Sequence, residues 1–396
     1  MRKPLRSPSE NGSGGEGTRS HPGLRQRPAA RGALGDPDRS RPTARRPGRL
    51  GPHPAPSSPE RRHREPLELT IMDIRDLRPA EHRPLRAALQ AGERAPSVCN
   101  TRPWVLSDEG DRIAVVADSE RRLDAADPQA RELVISCGAA LYNIRVALRA
   151  EGMVPEATVL PDPDRPGRLA EVAIGRAGGP DDEARAQGAA ITRRRTHRGL
   201  FAADIDDVAL VRKLGAAAAA EGAALLPLLS EPLVRSLAGL VAAAEHLHRY
   251  ERPRADELAG WVRPVGSPAS DGVRAEDFPG DADADGALFP GRDYGQGRIR
   301  GMLDSPGAVT GTVALLTTAE DTRNAWMAAG QALERVLLAA AVEEVSAAFH
   351  TQPLEEPALR AFMAERYCEG AHPQMVLRLG RTLPHGSVRT DPAPPR

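Results

Sequence analysis

The chain has 396 residues, 40% of them hydrophobic and only 3% aromatic. That is enough for two or three domains, whose cores must be filled by Ala, Leu and Val. The formal net charge of zero conceals a split, because residues 1–65 carry 15 Lys+Arg against 6 Asp+Glu and the remainder 39 against 48. A mildly acidic body has no field to attract nucleic acid or a membrane surface, no apolar run reaches membrane-spanning length, and three scattered cysteines (Cys99, Cys137, Cys368) make neither a disulfide framework nor a metal cluster. A reducing, cytoplasmic setting is expected.

Residues 1–65 are rich in Arg, Pro, Gly and Ser and nearly devoid of Ile, Val, Phe and Tyr. Such a composition cannot bury enough apolar surface to offset ordering entropy, and we expect a disordered tail over 1–70. A basic arm for polyanions would need aromatic residues among the arginines, which are missing, so nucleic-acid binding is not expected. No apolar core follows the first arginines, so this is not a signal peptide.

The pattern becomes globular from Arg75. A helix over 84–92 stops at a loop bracketed by Pro96 and Pro103, each of which removes a backbone donor and fixes φ. Between them Ser97, Asn100 and Thr101 can bond locally and stiffen a polar-lipped loop, which Trp104 anchors on its apolar side. Short strands over 104–106 and 112–117 flank the turn at 108–111. Asp127-Pro128 opens a helix to about 150, with Gly152 as its C-cap. Strands at 157–160 and 170–174 and a helix over 181–191 complete a first half, 71–192.

The second half, 193–396, holds helices at 204–222, 231–250 and 256–262, with a strand at 224–229. The stretch 263–301 is loaded with Gly, Pro and Asp, and a loop of that length is a lid, a linker or disordered. A strand over 309–316, a helix over 323–345, a strand at 347–350, a helix over 355–367 and a strand at 375–379 follow. The two long helices repeat one another. Cys137–Glu151 lies on Ala329–Glu343 without gaps, pairing Gly138 with Gly330, Leu141 with Leu333 and Glu151 with Glu343. Two copies of one α+β unit, fused and packed as a symmetric dimer would be, are expected.

Arg193, Arg194, Arg195 and Arg198 crowd around Thr196. Such a run is either a solvated helix end or a phosphate grip, and the return to Gly199, Leu200 and Phe201 pins it against the fold. Elsewhere the chemistry is thin. Asp281–Gly286 begins like a calcium loop but has Arg292 at its twelfth position. His246 and His248 face different ways on a helix, and no GxGxxG stands between a strand and a helix.

These motifs carry a resemblance. Pro96-Ser-Val-Cys-Asn-Thr-Arg-Pro-Trp104 resembles the P-S-x-x-N-x-Q-P-W loop of FMN-binding nitroreductases, and Arg194-Arg-Thr-His-Arg198 resembles their R-x-[ST]-x-[KR] segment. Ile135–Leu141, Thr351-Gln-Pro-Leu-Glu355 and Pro373–Gly380 are similar to the Acg-type branch. The likeness runs from about Arg75 to Gly380. It implies a duplicated, fused nitroreductase-like α+β fold, an intramolecular pseudo-dimer holding one FMN, and a monomeric protein. Pro96, Ser97, Asn100 and Arg102 would meet the ring from the first half. Arg194 would take the phosphate and Thr196 the ribityl chain, with Arg195 beside them and Arg198 at the N1/O2 edge. Thr351 and Gln352 would face N5.

The sequence departs from the pattern at Arg102, where the family has Gln, at Cys99, commonly His, and at Glu344, where Gly usually ends the helix. The implied partners are NAD(P)H, docking transiently, and an electron-poor acceptor such as a nitroaromatic or quinone. Two readings stay open: a flavin oxidoreductase, or a flavin-holding protein whose 263–301 segment excludes substrates.

Overall fold

A computed structural model describes residues 83–179, 181–278, 288–302 and 309–382. The basic tail and the would-be calcium loop lie outside the described residues. The first half runs α1 (Arg83–Gly92), β1 (Trp104–Asp108), β2 (Arg112–Ala117), α2 (Arg131–Ala150), β3 (Met153–Val159), β4 (Arg168–Ala177) and α3 (Asp182–Ile191). The second runs α4 (Val208–Ala219), β5 (Ala224–Pro227), α5 (Glu231–Tyr250), α6 (Arg252–Gly260), the two-residue strands β6 (Val262–Arg263) and β7 (Val273–Arg274), β8 (Thr312–Thr318), α7 (Arg323–Val342), β9 (Ser346–Phe349), α8 (Pro357–Tyr367) and β10 (His372–Gly380).

Each half has a four-stranded antiparallel sheet, in the orders β1-β2-β4-β3 and β5-β8-β10-β9. Matching β5, β8, β9 and β10 to β1, β2, β3 and β4 makes the two orders identical, with α7 in the place of α2. The duplication expected from the helix repeat is therefore present in the sheets as well.

The halves meet where α2 crosses α7. A Cβ on Gly330 would stand 2.0 Å from the carbonyl of Ile135, and one on Gly138 2.5 Å from that of Met327. Only glycine lets the two backbones approach so closely. The side chains beside this crossing are exchanged: Ile135 of α2 is buried in the core of the second sheet, and Met327 of α7 in that of the first. Ile135 and Met327 are equivalent in the repeat, so the approximate twofold passes between the facing glycines. α2 is apolar enough to cross a membrane by length and composition, but 83% of that stretch is buried inside the protein.

The helix ends obey the repeat too. Gly152 caps α2 at φ +81, and Glu344 takes the equivalent left-handed place after α7 at φ +58. The helix expected to reach 345 thus stops at Val342, at a backbone conformation that strains a non-glycine residue. α2 begins at Arg131, later than expected. Asp127 accepts from the N–H groups of Arg131 and Leu133, both at 2.9 Å, and leaves Pro128 in the turn before the helix.

In the first half a tight turn joins β1 to β2. In the second, the matching strands β5 and β8 are separated by an insertion containing α5, α6, β6, β7 and residues 288–302. The segment 263–301, expected as an unstructured loop, includes a parallel β6–β7 pair and a 3-10 turn at 275–277. It docks on the first half: the Gly272 N–H donates to the Asn100 carbonyl at 2.9 Å, and Arg121 pairs with Asp271 at 2.9 Å. Leu258, Val273 and Phe278 of the insertion share a core with Cys99 and Leu123.

Candidate functional site: a cavity between the two halves

The loop at 96–103 holds three non-glycine residues in left-handed backbone, Cys99 at φ +46, Asn100 at φ +54 and Arg102 at φ +51. Strain of this kind persists only where the surroundings impose it. Here the prolines flank it, Trp104 is buried in the core of the first half, and Ser136 of α2 accepts from the Val98 N–H at 3.2 Å. Pro96, Ser97 and Cys99 thereby form one wall of a cavity. Burial pushes the Cys99 thiol up to about 12, so it stays protonated.

The opposite wall comes from the stretch after α3. Thr196 bridges to Ala347 of β9, so this stretch is extended and alternate side chains face opposite ways. Arg193 and Arg195 face solvent, and Arg195 donates to the carbonyls of Thr192 and Arg194, both at 2.9 Å. Those two fit the bland reading, a solvated helix end. Thr196 and Arg198 face inward and line the same cavity as Ser97. The Arg198 guanidinium lies over the Tyr294 ring, 5.5 Å from its centroid. Arg194 also turns inward but meets the fully buried Glu334 at 3.6 Å instead of the cavity. Burial raises the Glu334 carboxyl to about 7 against the pull of Arg194.

Of the ten expected residues, the structure brings Pro96, Ser97, Thr196, Arg198 and Thr351 onto one cavity. The other five are engaged elsewhere. Asn100 donates its side-chain amide to the Ser270 and Gly272 carbonyls at 3.3 and 2.8 Å. Arg102 donates to Ser270 Oγ at 3.0 Å, so both fasten the insertion to the loop. Gln352 is fully buried and donates to Glu245 at 3.2 Å. Arg194 is turned to Glu334 and Arg195 to solvent, as described.

Sequence reasoning missed Glu132, Ser136, Arg292 and Tyr294, which also line the cavity. Tyr294 could have been suspected as one of the few aromatic residues in the Gly/Pro/Asp stretch. Arg292 carried no such signal, because its meaning lies in a distant partner: it forms a buried ion pair with Glu355, which also accepts from Thr351 Oγ1 at 3.2 Å. Burial alone would raise the Glu355 carboxyl, but Arg292, His248 and Arg254 hold it below its usual value. Burial lowers His248, wedged between Glu355 and Glu356, to about 4.

The donor set fits a flavin phosphate ester. Nε of Arg198 is buried without a hydrogen-bond partner among the described residues, while that of Arg194 stands 3.6 Å from Glu334. A buried donor left without a hydrogen bond is costly, and a guanidinium beside a threonine hydroxyl suits an anionic group.

No family model matches the chain. A Mycobacterium tuberculosis H37Rv protein provisionally named an NAD(P)H nitroreductase is 33% identical over 316 residues, 78% of this chain and 88% of its own length. A second protein of that strain, acg, provisionally named in the same way, is 28% identical over 312 residues, 79% of this chain and 92% of its own. A third, uncharacterised, is 27% identical over 327 residues, 78% of this chain and 89% of its own. Among solved structures, a nitroreductase with bound FMN from Bacteroides fragilis covers 52% of this chain and 95% of its own, at a TM-score of 0.31 and 14% identity. A fused pair of α+β halves with a cavity between them defines the class, a two-in-one nitroreductase-like protein. The chain belongs to the NAD(P)H nitroreductase family, in its Acg-type branch.

Proposed function

We propose that the cavity binds one FMN and that the protein is an NAD(P)H-dependent flavin oxidoreductase passing electrons to a nitroaromatic or a quinone. One observation carries the reading: Ser97 from the first half and Thr196 with Arg198 from the stretch opening the second line a single cavity. The relatives' names support it. Halves bounded at 71–192 and 193–396, with 263–301 as a cover, belong to the same proposal.

When bound, FMN would supply hydride chemistry at its ring, and the protein supplies binding, orientation and electrostatics. Arg198 would place positive charge against the flavin's electron-rich edge, and Thr196 would hold the ribityl hydroxyls. Arg194 would reach the phosphate by leaving or sharing Glu334. Ser97 and Thr351 would border the ring, and Phe349 and Met375 would exclude water. NAD(P)H would dock over the flavin without a domain of its own.

A second reading is a flavin-holding protein with little turnover. The observation favouring it is that Arg292 and Tyr294 of the insertion stand on the cavity wall, where a substrate would enter. The absorption spectrum of the purified protein is the first test, with yellow protein or stoichiometric uptake of added FMN expected. Colourless protein that refuses FMN would end both readings. Oxidation of NADPH in the presence of a nitroaromatic supports the enzyme. A bound flavin that dithionite reduces and NAD(P)H does not supports the holding protein.

A further inference from the structure

Glu132 is the one carboxyl side chain among the described residues that line the cavity. It is the second residue of α2, it is almost completely buried, and its Oε1 accepts from Arg131 Nη2 at 3.1 Å. The geometry points to Glu132 as the acid that protonates the electron acceptor, a role that rests on the flavin reading above.

The chemistry creates the need. Transfer of hydride from NAD(P)H into the site moves two electrons and one hydrogen and requires no proton. Passing that hydride to a quinone gives a hydroquinone monoanion, which becomes the neutral hydroquinone on gaining one proton. Passing it to a nitro group with one proton gives the nitroso compound and water. Each turnover therefore consumes one proton beside the acceptor, where apolar walls limit water.

Apart from the Tyr294 phenol, the rival tested below, the other cavity groups are poor sources. Arg198 and Arg292 hold their protons throughout the accessible range. The Cys99 thiol is raised to about 12 by burial. Serine and threonine hydroxyls do not ionise near neutrality. Glu132 is different because of what faces it. Burial first, then the Glu355 carboxylate, and Asp127 in the turn before α2, oppose its ionisation, while Arg131 and Arg292 favour it, and the balance leaves it at about 8. A carboxyl with that affinity is protonated at pH 7 and releases its proton readily, the condition for a general acid. The carboxylate left behind sits against Arg131 and regains a proton from water through the cavity mouth.

The test separates the half-reactions. FMN-loaded protein is reduced anaerobically with NADPH, then mixed with p-benzoquinone, and reoxidation is followed from pH 6 to pH 9.5. The wild-type rate should fall as pH rises through about 8. Glu132→Gln should be slower by about 100-fold at pH 7 and show no break, with its reduction by NADPH changed less than twofold. Tyr294→Phe tests the rival donor and should retain the break. Without flavin, the infrared band of protonated carboxyls should lose a component near that same pH in the wild type, and that component should be missing from Glu132→Gln while the Glu334 component remains. Wild-type reoxidation by Glu132→Gln, loss of the break in Tyr294→Phe, or a protonated-carboxyl band at pH 6 that Glu132→Gln leaves unchanged overturns the assignment. Failure to take up FMN at all sinks the flavin reading, and this role with it. Normal FMN uptake and reduction with Glu132-independent reoxidation sinks this role alone.

Discussion

Asp321, just before α7, gathers two hydrogen bonds from Arg360 at 2.7 and 2.6 Å and one from the Trp326 indole at 2.6 Å. Partial burial alone would raise its carboxyl, but these donors hold it well below the usual carboxylate range. Because the folded value is depressed, the stability it contributes is complete above the unfolded value of about 3.9 and is lost as pH falls through the folded one. Asp321→Asn should therefore cost roughly 1–3 kcal/mol in urea denaturation at pH 7, and about 1 kcal/mol less at pH 3. An equal loss at both pH values would show that packing, not charge, is what the side chain contributes. At the same scale, Glu344 was recognised from sequence as an awkward helix end, and it adopts the left-handed conformation regardless. The repeat explains why: the chain must turn there as it does at Gly152. Glu344 is exposed, so Glu344→Gly should raise stability by about 1 kcal/mol, read as an upward shift of the thermal midpoint. A drop would mean that the glutamate makes a compensating contact.

At the scale of elements, the α2–α7 crossing decides how the halves fit. A methyl at Gly330 would meet backbone on α2, which cannot rotate away, so Gly330→Ala should cost roughly 3 kcal/mol or more, or prevent folding. Gly239 in α5 has open space around its missing Cβ, and Gly239→Ala should instead stabilise by about 0.5–1 kcal/mol. Similar losses at both positions in chemical denaturation would argue that helix propensity, not close approach, governs these sites. The glycines were visible in the sequence because close packing leaves a local mark: small residues recur at helical spacing on both helices. The insertion between β5 and β8 left a mark in composition only. Its contacts with Asn100, Arg102 and Arg121 join residues about 150 positions or more apart, and no local pattern records them.

For the whole molecule, composition makes one prediction that the described residues do not touch. A tail so poor in apolar side chains has little to bury, so removing residues 1–70 should leave the thermal midpoint and FMN uptake unchanged. A fall of several degrees, or loss of the flavin, would mean that part of the tail packs on the body. The body as a whole hides its charge unevenly. The side chains of Arg131, Arg254 and Arg292 are almost completely buried with those of Glu132, Glu245 and Glu355. The Arg254 and Arg292 cations are tolerated at such depth because Glu355 lies against both.

Local physics fixed much of this protein in advance. The proline-bracketed bend, the arginine–threonine stretch and the two matching helices are each governed by neighbours a few residues away, and their meaning could be read along the chain. Tertiary structure decided which of those polar groups point at a common space. Extended backbone sent Thr196 and Arg198 inward and Arg195 outward, and the insertion engaged Asn100 and Arg102. It also decided the direction in which Glu132 is pushed, toward its protonated form, because burial and the nearby carboxylates depend on chain segments more than 200 residues away as well as on its immediate neighbours.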